Sequence, residues 1–265
     1  MPPTLSPARP SRADVPRPRS ALSRYWEDAR APRYSLLFAL PLLVLYETLA
    51  ATLGGSGTMA VRNGADVLLQ QLAATVGGSR GPMAIGAAML ILCAALVIRD
   101  GRRNGGVRGR VFLGMFAESA AMASVFGLAV GLVTAQLLSP LGLLAVPADT
   151  PMDQLPVGTQ VMLSLGAGLY EELVFRVGLV GALGLGARRL LGWTRTTAAI
   201  FAVGVGSLVF SAVHYIGPYG DPFTIGSFVF RAIAGVFLSA IFVLRGFGIA
   251  AWTHALYDLY LVLLN

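Results

Sequence analysis

The segment LGAGLYEELVFRVGLVGAL, residues 165–183, has the apolar texture of a membrane helix, yet Glu171 and Glu172 stand side by side in it with Arg176 just beyond. A charged side chain deep in a bilayer costs about 3 kcal/mol or more, so an ionisable group there marks a functional position by default. The chain's only two histidines also lie in apolar runs: His214 in FSAVHY, and His254 in WTHALYDLY, where Asp258 follows. Helical spacing sorts these groups. Glu172 and Arg176 are four apart, share a face, and stand in the favourable order for a pair, which neutralises both. Glu171 lies about 100° round the helix from its neighbour and has no local partner, so it is the carboxylate assigned to chemistry. Phe210 and His214 are four apart, as are His254 and Asp258; in the second pair the acid orients the ring or shares a target with it. Glu47, Glu118 and Arg231 also fall in apolar runs. Glu47 reads as a cap or anchor near an interface, and the other two lie near span ends, where snorkelling keeps a charge wet.

What must position these groups is a membrane bundle. Of the 265 residues 55% are hydrophobic and 12% charged, a composition unlike that of a soluble domain with a polar coat. About 20 apolar residues cross a bilayer as helix, and seven runs qualify: 34–53, 82–98, 112–138, 158–184, 198–216, 227–244 and 247–264. The fold class is therefore all-α, a polytopic bundle of about seven transmembrane helices with the candidate catalytic set on the last four. Between the first two spans, VRNGADVLLQQLAATV has the helical spacing of an amphipathic surface helix. The single Cys93 excludes an internal disulfide framework and any multi-thiolate metal site.

All 20 basic residues are arginines, and the +7 balance reads as topology rather than nucleic-acid binding, because they cluster at span ends. With the N-terminus inside, seven fall in the first 33 residues, five in 99–110, three in 185–197 and one at Arg245, against only Arg62 and Arg80 outside. Residues 1–33, rich in Arg, Pro and Ser, carry too little apolar surface to pack and are expected to form a disordered cytoplasmic tail. N-terminal membrane helices over 34–154 and a catalytic membrane core over 155–265 complete the expected organisation. The first apolar run is long for a signal peptide and is expected to remain as an anchor.

The pattern EExxxR, FxxxH and HxxxD, each motif on its own membrane helix, resembles the CPBP family of intramembrane proteases, which includes type 2 CAAX-prenyl proteases and bacterial relatives once called abortive-infection proteins. Glu171, Glu172 and Arg176 match the first motif, Phe210 and His214 the second, His254 and Asp258 the third. The resemblance covers roughly residues 155–265, with LPLLVLYE at 40–47 similar to the family's first helix. It implies an intramembrane endopeptidase in which Glu171 is the general base, His214 helps hold the water, and His254 stabilises the oxyanion. Prenyl-protease members tend to carry Asn at the last position. An ionised Asp258 cannot donate a hydrogen bond, so it would orient His254 or ligate a metal. A metal-free mechanism is favoured; zinc on Glu171, His214, His254 and Asp258 is the alternative.

The expected partners are the lipid bilayer and a membrane-bound protein or peptide substrate, with no nucleic acid. The Arg-only, Gly- and Ala-rich composition points to a GC-rich bacterial genome and the cytoplasmic membrane, where a peptide or a C-terminal sorting signal suits better than a prenylated tail. Three other functions stay open. Two histidines on different helices could be haem axial ligands, but that leaves the glutamates unexplained. Buried Glu, Arg and His could relay ions in a transporter, but internal repeats are not evident. A non-catalytic scaffold or immunity protein of the same fold is the main rival. The catalytic reading requires Glu171, His214 and His254 to converge, although counted along their spans they lie roughly 20, 24 and 11 Å from the cytoplasmic ends.

Overall fold

The computed structural model describes residues 20–53, 61–143, 154–217 and 220–264, and among them all regular structure is helical. After α1 (Ala21–Arg30) and α2 (Pro32–Leu53) come α3 (Gly64–Gly77), α4 (Gly81–Asn104) and α5 (Gly109–Leu138). A composite helix follows, made of α6 (Val157–Gly166), a π-helical segment (Ala167–Val180) and α7 (Gly181–Leu190). The chain ends with α8 (Arg195–Val213), α9 (Ile225–Arg245) and α10 (Phe247–Leu264). Six stretches of the described residues are long and apolar enough to cross a membrane, with α3 and α4 counted as one. The composite helix, 157–190, carries the paired glutamates and corresponds to the fourth of the seven expected spans, 158–184, which is not among those six.

Local sequence sets the helix starts. Ser20, Asn63, Thr194 and Thr224 each place a side-chain oxygen on a backbone N–H of the first turn of α1, α3, α8 and α9, satisfying a donor that the helix itself leaves free. The expected surface helix between the first two spans exists as α3, but it packs against α4 and reaches the π segment.

One core joins α2, α6, the π segment and α10 through Leu42, Tyr46, Met162, Leu165, Leu169, Ala251 and Ala255; a second joins α5 and α9 through Phe126, Val130, Ala234 and Leu238. Gly168 lets the π segment meet α10, because a Cβ there would lie 2.4 Å from the Ala251 carbonyl oxygen and 2.6 Å from Ala255 Cβ. Backbone cannot swing aside as a side-chain tip can. Gly168→Ala is therefore expected to destabilise the bundle by about 1–3 kcal/mol through overpacking, read as a lower unfolding midpoint in detergent; an unchanged midpoint would contradict this packing.

The expectation that residues 1–33 form a disordered tail is corrected for its second half. Residues 1–19 lie outside the described residues, but 21–30 form α1, docked on the bundle. Arg245, 2% exposed, lies over the Trp26 ring at 4.0 Å and pairs with Glu118 through Nε at 2.5 Å and a terminal nitrogen at 2.7 Å. The Tyr25 hydroxyl donates to the same carboxylate at 2.5 Å, and burial together with that hydrogen bond pushes its pKa upward. Average composition hid this short segment, whose Tyr25, Trp26 and Ala29 face one way.

Glu118 lies nine residues beyond the start of α5, so the α9–α10 turn meets α5 more than two turns along it. The start of α10 is held there by Ser35, whose hydroxyl accepts from Gly248 N at 2.7 Å, and by Trp252, whose indole donates to the Phe38 carbonyl at 2.6 Å.

Candidate active site

Glu171, Glu172 and Arg176 project from the π segment, His214 follows the last residue of α8, and His254 and Asp258 lie one turn apart on α10. An i→i+5 turn is wider than an α-helical one and recurs at functional sites. The structure brings all six residues together, in two linked pairs of acid and imidazole.

The first pair is Glu171 and His214. The His214 Nδ1 lies 2.7 Å from the Phe210 carbonyl oxygen. A carbonyl only accepts, so Nδ1 carries the proton, and the neutral ring presents a lone pair at Nε2. That lone pair faces Glu171 Oε2 at 3.8 Å. Two acceptors at this separation do not bond to each other, but they suit a water molecule that donates one proton to each. Both side chains keep some exposure, 13% for Glu171 and 25% for His214.

The second pair is His254 with Glu172. His254 Nδ1 donates to Glu172 Oε1 at 2.8 Å, and its Nε2 faces Asp258 Oδ2 at 3.5 Å. The ring is thus oriented by Glu172, not by Asp258 as the four-residue spacing suggested; Asp258 is too distant for a strong hydrogen bond. A ring whose two nitrogens both face carboxylates is best satisfied as imidazolium, and its Nε2–H is left directed at the site. Glu172 is also the partner of Arg176, whose NH1 lies 3.1 Å from the same Oε1. Both are fully buried, and the Arg176 guanidinium rests on the Phe210 ring at 4.2 Å. Phe210 is the hinge between the halves, its ring 4.8 Å from that of His214 and 6.3 Å from that of His254.

The remaining intramembrane charges are structural pairs. Glu118 is clamped by buried Arg245 rather than snorkelling, and Arg231 pairs with Asp221 and donates to Tyr215 and Ser227. Glu47 accepts both from Arg62 and from the Tyr170 hydroxyl at 2.6 Å. Sequence reasoning missed Asn63, whose side-chain amide donates to Glu171 Oε1 at 3.0 Å. Its one sequence signal was an Asn-Gly pair opening the amphipathic run, which marks a helix cap. Among the described residues no group of three or more His, Cys, Asp or Glu side chains is placed to hold a metal ion.

The fold and the site together define a membrane-embedded helical bundle with an interior carboxylate–histidine centre. Residues 153–260 match the family described as type II CAAX prenyl endopeptidase Rce1-like. The match spans less than half of the chain and, like the three motifs, supports a CPBP-family intramembrane protease; with six helical stretches able to cross a membrane, the protein is a multi-pass membrane protein. No curated protein and no solved structure matches the chain.

Proposed function

We propose that the protein is an intramembrane endopeptidase that hydrolyses a peptide bond of a membrane-associated protein or peptide without a metal, with Glu171 as general base. The observation that carries this reading is the 3.8 Å gap between Glu171 Oε2 and the His214 Nε2 lone pair. A water held there by its two protons turns an oxygen lone pair toward a carbonyl carbon placed above it. As the carbon–oxygen bond forms, Glu171 takes one proton and the carbonyl electron pair moves onto the oxygen. His254 Nε2–H meets that oxyanion, with Glu172 holding the ring from behind. Collapse of the tetrahedral intermediate breaks the carbon–nitrogen bond, and the proton on Glu171 passes to the leaving amine. Glu171 is thereby returned as carboxylate.

The donor arrangement supports the metal-free version, because His254 is committed to Glu172 and Glu171 to Asn63. Treatment with 1,10-phenanthroline or EDTA is accordingly expected to leave the cleavage rate unchanged; a rate lost to chelator and regained with zinc would overturn this version. The arginine asymmetry supports a cytoplasmic N-terminus, and the Arg-only, Gly- and Ala-rich composition supports a bacterial inner membrane. The substrate we favour is a bacterial membrane protein or peptide carrying a C-terminal sorting signal.

The experiment is a comparison of wild type and Glu171→Gln in the native host at matched expression, reading the C-termini of membrane peptides by mass spectrometry. A precursor that accumulates only in the variant supports the protease and names its substrate class. Identical profiles under conditions where the protein is needed would favour the scaffold instead.

A further inference from the structure

We propose that Asn63 is a positioning residue for Glu171, its side-chain amide holding one carboxylate oxygen so that the other faces His214; this rests on the reading of Glu171 as general base. Asn63 is buried and cannot rotate freely. Its Oδ1 accepts from Ala65 N at 2.9 Å as the cap of α3, which leaves the amide NH₂ to donate to Glu171 Oε1 at 3.0 Å. Its own backbone N–H donates to the Tyr46 hydroxyl at 3.1 Å, and that hydroxyl donates to Asp66 at 2.8 Å. Arg62 bridges Asp66 and Glu47, and Glu47 accepts from Tyr170, the residue preceding Glu171.

The composite helix is shaped to receive this device. A Cβ on Gly166 would stand 2.5 Å from the Tyr46 ring and 2.9 Å from Asn63 Cβ, so glycine is what lets both approach. The two ends of the arrangement are 108 residues apart in sequence. The chemical logic is directional. A carboxylate with both oxygens free turns about its last bond, and only one orientation puts an oxygen opposite the His214 lone pair. A donor fixed on Oε1 selects that orientation, while the neutral amide leaves the negative charge on Glu171 for the proton from water.

The test uses the full-length protein in its own membrane, with newly made membrane proteins pulse-labelled and the precursor that builds up in Glu171→Gln followed to its cleaved form. Asn63→Asp and Asn63→Ser both keep an oxygen that can cap α3 but withdraw the amide. Cleavage is expected to slow about 10- to 100-fold in both, the worth of a hydrogen bond to a charged group. In isolated membranes the loss should fall on kcat with KM kept, because Asn63 touches the enzyme's own carboxylate and not the peptide. The unfolding midpoint of Asn63→Ser in detergent should stay at the wild-type value, whereas Asn63→Asp, which sets a second carboxylate against Glu171, and Asn63→Ala, which removes the cap, should lower it. Wild-type cleavage in Asn63→Asp and Asn63→Ser while Glu171→Gln is inactive would overturn the positioning role and leave the protease reading intact. A loss that only tracks the fraction of folded protein would overturn it too. If Glu171→Gln itself cleaves normally, or accumulates no precursor, the protease reading fails and this inference fails with it.

Discussion

Glu171→Gln is expected to slow peptide cleavage by about 10²- to 10⁴-fold, the usual worth of a positioned general base, with substrate binding and fold retained. Glutamine matches glutamate in shape, and its carbonyl oxygen can still accept the hydrogen bond from Asn63 that Oε1 accepts now. What it lacks is basicity on the side facing His214, where an amide NH₂ would meet the Nε2 lone pair at a separation now 3.8 Å. The amide would hold the imidazole and displace the water rather than deprotonate it. The measurement is a pulse-chase of membrane precursors with wild-type and variant protein at equal abundance, together with the unfolding midpoint of each. A variant that cleaves at the wild-type rate would show that the proton goes elsewhere and would remove Glu171 from the mechanism.

The site was legible in the sequence to the extent that each of its parts is local. EExxxR, FxxxH and HxxxD announce themselves because charge and imidazole are rare in apolar helices, and four-residue spacing gives the right face for Glu172 with Arg176. The same rule misled at His254. It joined the ring to Asp258 on its own helix, while the hydrogen bond goes to Glu172, 82 residues away. Local geometry states which side chains share a face, not which neighbour that face meets.

Depth failed for a related reason. Counting residues along each span assumes that all spans start level, whereas Arg245 at the α9–α10 turn pairs with Glu118, more than two turns along α5. That clamp in turn explains α1. An arginine drawn inside needs cover, and Trp26 and Tyr25 provide it from a segment whose Arg-, Pro- and Ser-rich surroundings read as unstructured. Asn63 was the least legible residue because an asparagine before glycine predicts only a cap. Its free amide acquires a purpose when α3 packs on the π segment, a contact that no periodicity encodes.

Glu172→Gln is expected to cost about 3–5 kcal/mol of stability, since it leaves the Arg176 guanidinium buried without its counter-charge. Arg176 is 1% exposed and its nitrogens make no hydrogen bond among the described residues, so the Glu172 carboxylate and the face of Phe210 are its visible compensation. Removing both charges together should behave differently. In Glu172→Gln with Arg176→Met no buried charge is orphaned, and buried ion pairs replaced by uncharged groups of similar volume are often neutral or stabilising. The double variant is therefore expected to unfold in detergent near the wild-type midpoint. Cleavage should stay low, because His254 has then lost the anion that holds its Nδ1 proton and keeps Nε2–H aimed at the oxyanion. The paired measurement separates two duties of one carboxylate: neutralising Arg176 is a matter of stability, and orienting His254 is a matter of rate. A double variant that recovers cleavage along with stability would mean that Glu172 serves only its arginine, and that the 2.8 Å contact with His254 plays no part in the chemistry.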